Sequence, residues 1–64
     1  MKLYRTTCYK FHGDAVEWVR YGSDRRRFAA AKNVTWNGVS RRVTLDVIDI
    51  PGDGWQRIAD TEED

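Results

Sequence analysis

The side chains best suited to chemistry in this 64-residue chain are one histidine, one cysteine and eleven lysines and arginines. His12 adjoins Gly13 in "HGD", a stretch with turn chemistry, and Cys8 stands four residues before it. On an extended strand that spacing puts both side chains on one face but two pleats apart, too far for an imidazole to activate a thiol. There is no CxxC, no HExxH and no second histidine, so neither a metal site nor a cofactor is expected. "GSD" and "NGVS" read as turns, and "PGDG" is followed by no Lys-Ser/Thr pair and no helix start that could cradle a phosphate. Asp46 and Asp49, three apart on a strand, face opposite sides and make no acid pair. "NVT" matches a glycosylation acceptor, which has no meaning for a cytoplasmic chain. The expectation is a non-enzyme.

Binding chemistry is better represented. Arg25, Arg26 and Arg27 are consecutive, and Arg41 and Arg42 follow after a small alanine-rich segment that carries Lys32. Guanidinium forks bind phosphate or carboxylate bidentately, and contact surfaces are enriched in arginine. Three cations in a first helical turn also oppose the helix dipole, which stability alone would not select. The blander account pairs these arginines with Asp46, Asp49 or the acidic end. Trp36, one of three tryptophans, sits beside Asn37-Gly38, where it can anchor a contact or stack on a base, though covering the sheet is the commoner role. Arg25, Arg26, Arg27, Lys32, Trp36, Arg41 and Arg42 are therefore the candidate partner-binding set. Asp60, Glu62, Glu63 and Asp64 form a secondary acidic candidate, able to mimic a phosphate track, although such tails more often serve solubility.

Size limits what else the chain can do. A single domain of this length buries only about 60% of the surface its unfolded chain exposes. Its core supplies a net of about 3–5 kcal/mol, with little room for an enclosed active site. A lone cysteine forms no internal disulfide and suits a reducing compartment. No apolar run is long enough for a signal peptide or a membrane span, so a complete small reading frame made in the cytoplasm is expected, with no membrane contact. Net charge is +1, but residues 1–42 carry ten Lys/Arg against three acids, a net of +7, and residues 43–64 carry one against seven, a net of −6. The surface should be polarised.

The elements that must hold these groups follow from pattern. "KLYRTTCYKF" and "AVEWVRY" read as strands around the "HGD" turn, both with mixed faces. "RRRFAAAKN" has high helix propensity, with Ser23 or Asp24 as N-cap, Asn33 as stop and Phe28 and Ala31 on the docking stripe. Asn37-Gly38 between Trp36 and Val39 is a hairpin signal. "RRVTLDVIDI" is the clearest strand, with either a bulge near Val47 or a segment buried on both faces expected, and Pro51 as its end. "WQRIA" reads as a short edge strand and residues 60–64 as a flexible acidic tail. The expected fold is α+β: one domain over residues 1–64, a small antiparallel sheet of three to five strands with one short helix on one face. The alternative is an all-β meander or small barrel.

The elements "KLYRTTCYKF", "DRRRFAAAKN", "RRVTLDVIDI" and "PGDGW", taken as architecture, resemble those of small phage-encoded host-inhibitor proteins of the anti-CRISPR type. That resemblance carries no diagnostic motif and no functional residue. It implies action by steric occlusion: an inhibitor or adaptor that binds a host protein or nucleoprotein complex in the host cytoplasm. Two other functions fit the residues: direct nucleic-acid binding through the arginine clusters, against which the near-zero net charge argues, and a structural subunit that oligomerises.

Overall fold

The computed structural model describes residues 1–11, 13–36 and 38–62, with Trp36 described by its backbone alone. In chain order the elements are β1 (Lys2–Tyr9), β2 (Val16–Gly22), α1 (Arg26–Lys32), β3 (Thr35–Trp36), β4 (Val39–Ser40), β5 (Val43–Asp49) and β6 (Gln56–Asp60). Strand predominates over helix, so the architecture also fits description as an all-β domain carrying one short helix.

Four strands form one antiparallel sheet in the order β2-β1-β5-β6. β2 and β5 both run antiparallel to β1, hence parallel to each other, and the chain must cross β1 to pass between them. The crossing segment carries α1, which packs over β5 and β1. It also carries the separate β3–β4 hairpin, where Trp36 pairs with Val39 around the Asn37-Gly38 loop. Gly38 has φ +76°, the left-handed backbone such a loop requires. Asn37 itself lies outside the described residues, as does His12 of the β1–β2 loop.

Strand register fixes the two faces. Cys8 lies opposite Trp18 and Val43, and Thr6 opposite Arg20 and Leu45. These side chains share the face beneath α1, where Ala31 and Phe28 meet Cys8, Val43 and Trp18. Cys8, Val43 and Leu45 are fully buried there. On the opposite face Arg5 lies across from Tyr21 and Asp46, and Thr7 from Val19 and Thr44. α1 does not cover that face, yet Thr7, Thr44 and Asp46 are buried. Over Asp46 lie the guanidinium groups of Arg5 and Arg57.

Several boundaries differ from expectation. α1 covers seven residues, Arg26–Lys32, starting later than "RRRFAAAKN", and Arg25, not Ser23 or Asp24, occupies the N-cap position without a side-chain cap bond. Asp24 still serves the helix start, because the Arg26 N–H donates to its carboxylate at 3.0 Å. Asn33 ends the helix as expected. The irregularity expected near Val47 falls between Leu45 and Asp46, and the extra residue, Ile58, belongs to the partner strand β6. A second register shift leaves Glu17 of β2 as the extra residue between Val16 and Trp18.

The acidic end also begins later than expected. Asp60 is the last residue of β6 and is buried, not the first of a tail. Thr61 continues the attachment: its N–H donates to the Val43 carbonyl at 3.0 Å, and its hydroxyl accepts from the Val43 N–H at 2.9 Å. Glu63 and Asp64 lie outside the described residues.

Candidate binding surface

The arginines divide into two groups, and the register explains why. On the open sheet face, β5 places Asp46 between β1 and β6. Arg5 Nη2 reaches Asp46 Oδ2 at 3.2 Å, and Arg57 Nε reaches Asp46 Oδ1 at 2.6 Å. Arg57 Nη1 also approaches Asp60 Oδ2 at 3.5 Å. Arg42 holds Asp60 with both arms of its fork, Nη2 to Oδ2 at 2.7 Å and Nε to Oδ1 at 3.2 Å, and nears Glu62 at 3.7 Å. The two aspartate side chains are 5% and 1% exposed, so three guanidinium groups lie over two buried carboxylates. Bidentate pairing of this kind is the strong form of the interaction.

The hydrogen bonds from Arg42 hold the Asp60 carboxyl below the usual carboxylate range, against the opposing effect of burial. The same bonds raise the Arg42 guanidinium further, and those to Asp46 raise Arg57. Aromatic rings extend the lattice: Arg5 lies 4.4 Å from the Trp55 ring centre, Arg42 lies 5.0 Å from Tyr9, and Tyr21 packs on Trp55.

Arg41 points to the helix face. It pairs with Glu17, the extra residue of the β2 bulge, and stacks 4.6 Å from the Phe11 ring centre. It also opposes the effect of burial on Cys8, whose thiol is pushed up in pKa. That buried thiol is a small core residue and not an exposed nucleophile.

The arginines of the helix start are placed differently. Arg25, Arg26 and Arg27 are all exposed. Arg25 stands 5.6 Å from the Tyr4 ring centre and Arg26 makes a solvent-exposed pair with Asp24 at 3.4 Å. Neither Arg25 nor Arg27 meets a carboxylate among the described residues. The structure thus does not bring the two sequence clusters together. Arg42 is on the opposite face, and Arg25 and Arg41 meet different rings, Tyr4 within β1 and Phe11 beyond its end. Of the other candidates, Lys32 is exposed with its ammonium 5.6 Å from the Phe28 ring centre, and Trp36 contributes its backbone to β3. The acidic candidates Asp60 and Glu62 are engaged by Arg42.

Sequence reasoning missed three participants. Arg5 and Arg57, single arginines within strands, become part of the lattice only through the register. Arg20, also isolated in sequence, lies 5.6 Å from the Trp18 ring centre on the helix face. Beside it, Trp18, Arg27, Ala30, Ala31 and Val34 line an apolar cleft of about 250 Å³. A larger hollow of about 660 Å³ runs along Lys2, Asp49, Asp53 and Trp55 at the far end of the sheet. Among the described residues no arginine lines it and no convergent reactive set gathers there. Among the described residues no cluster of His, Cys, Asp and Glu could hold a metal ion, and no helix is long and apolar enough to cross a membrane.

No family model, no curated protein and no solved structure matches this chain.

Proposed function

We propose that the chain is a non-catalytic binding protein, an inhibitor or adaptor that occludes a host protein or nucleoprotein complex in the cytoplasm. This is the mode of action of the small phage-encoded inhibitors that it resembles in architecture. One observation carries the reading: the helix-start arginines, Arg25 to Arg27, are exposed and, except for the surface pair with Asp24, have no acidic partner among the described residues. The half-buried arginines Arg5, Arg41 and Arg42 each have one, at Asp46, Glu17 and Asp60, and the more exposed Arg57 shares Asp46. A solvent-exposed cation cluster at the helix end that disfavours it adds nothing to folding and suits an acidic contact surface.

Affinity capture with tagged protein tests this, using wild type and the folded triple variant Arg25→Ala/Arg26→Ala/Arg27→Ala. The expected result is one host protein at about 1:1 stoichiometry with wild type and its loss with the variant. Recovery of no stoichiometric protein, or equal recovery with both, contradicts the proposal.

A further inference from the structure

The helix face has an open groove with two distinct walls. α1 packs over β5 and β1, so it stops short of covering β2. Among the described residues β2 pairs with β1 alone, which makes it an edge strand with an open backbone on its outer side. Trp18, on the helix-facing side of β2, forms one wall of the cleft, and Ala30, Ala31 and Val34 of the helix and its exit form the other. Ala30 is exposed and Val34 is 45% exposed, so the apolar lining opens to solvent.

The rim is cationic. Arg27 lines the cleft itself, and its Nε lies close to where a side chain on Gly22 of β2 would begin. Arg20 lies over Trp18 and donates to the Val19 carbonyl at 3.1 Å. The nearby acids are already engaged, Glu17 by Arg41 and Asp24 by Arg26. An edge strand, an apolar slot beside it and a basic rim together describe a site for an extended peptide. Main-chain bonds to the edge supply affinity, and alternate side chains dropping into the slot supply selectivity.

We infer that the groove between α1 and the open edge of β2 binds an extended acidic segment of the partner protein. That segment adds as a strand to β2, puts one large apolar side chain into the Trp18–Ala30–Val34 cleft and sets carboxylates on Arg20 and Arg27. The inference rests on the binding-protein reading above and specifies the partner's chemistry.

Selection from a display library of random twelve-residue peptides tests it directly. The expected winners carry at least two acids around one Leu, Ile, Phe or Trp. A synthetic winner should lose at least tenfold in affinity to Ala30→Trp, which fills the cleft, and again to Arg27→Glu, both checked for unchanged far-UV circular dichroism. Replacing the winner's apolar residue by alanine should cost about tenfold, in line with the apolar area it buries. The inference is overturned if no peptide is selected, if neither variant weakens binding, or if a single-stranded oligonucleotide displaces the peptide and binds tighter. Capture of a host protein that Arg25→Ala/Arg26→Ala/Arg27→Ala abolishes but Ala30→Trp leaves intact would overturn the groove while the broader reading stands.

Discussion

Two sets of arginines on one small sheet have opposite circumstances. Arg5, Arg42 and Arg57 lie over two buried aspartates on the face that α1 leaves bare, and their aliphatic stems and stacked rings serve as that face's cover. Arg25, Arg26 and Arg27 stand in solvent at the start of α1, at the helix end where positive charge is least favoured. Residue type is the same in both regions. What differs is whether strand register delivers a carboxylate alongside. In a domain whose core is built on Cys8, Ala31, Val43 and Leu45, the ion-pair lattice substitutes for a second apolar layer. Among the described residues the helix-start cations substitute for nothing in the fold, and the proposed function gives them a partner to meet.

The sharpest way to break this contrast is to remove the aspartate shared by two arginines. Asp46→Ala leaves Arg5 and Arg57 without their principal acceptor and should lower stability by about 2–3 kcal/mol, most of what such a domain has. Urea denaturation would show the midpoint collapse. A shift of less than about 0.5 kcal/mol, the size of an ordinary surface substitution, would remove the lattice from the account.

Acid titration probes the same face without a mutation. The Asp60 carboxyl is held below its ordinary value of 3.8, chiefly by the hydrogen bonds from Arg42. A depressed carboxylate contributes stability that is fully present above its unfolded pKa and is lost as pH falls through its folded one. Thermal stability should therefore decline progressively below about pH 4, and Asp60→Asn should flatten that decline while lowering stability at neutral pH. A wild-type profile with the same acid limb as Asp60→Asn would show that the Arg42 clasp contributes nothing.

A smaller effect is expected where geometry rather than charge is altered. Arg5→Lys keeps the cation but loses the planar group over Trp55 and the second donor to Asp46. The expected loss is about 1 kcal/mol, with a change in Trp55 fluorescence. Equal stability of the two proteins would mean that charge alone matters at this position.

Much of the framework was legible in sequence because it depends on neighbours along the chain. Asn37-Gly38 marked the hairpin, the alternation of Val43, Leu45 and Val47 marked β5, and Phe28 with Ala31 marked the docking stripe of α1. The alanine run ahead of Asn33 placed the helix, though the short first turn began later than its apparent caps. The pairing of charges was not legible. Arg5 meets Asp46 across 41 positions of sequence, and that depends on how β1 registers with β5. The bulge at Ile58 then sets which β6 side chain faces Asp46, and nothing in "WQRIA" signals it. Adjacency misled in the same way: Arg41 and Arg42 look like a pair, but consecutive residues on an extended strand point to opposite faces. The cleft depends on how far α1 reaches across the sheet, which only the packing of Ala31 against Cys8 and Val43 decides.

The smallest expected stability change carries the heaviest weight. In Arg25→Ala/Arg26→Ala/Arg27→Ala, three cations leave an unfavourable helix end and alanine, the best helix former, replaces them. Urea denaturation of this variant beside wild type should give an equal or higher midpoint, a gain of some tenths of a kcal/mol per position. A loss of more than about 1 kcal/mol would mean that these arginines hold the fold together as the lattice arginines do, and the division between the two regions would be gone.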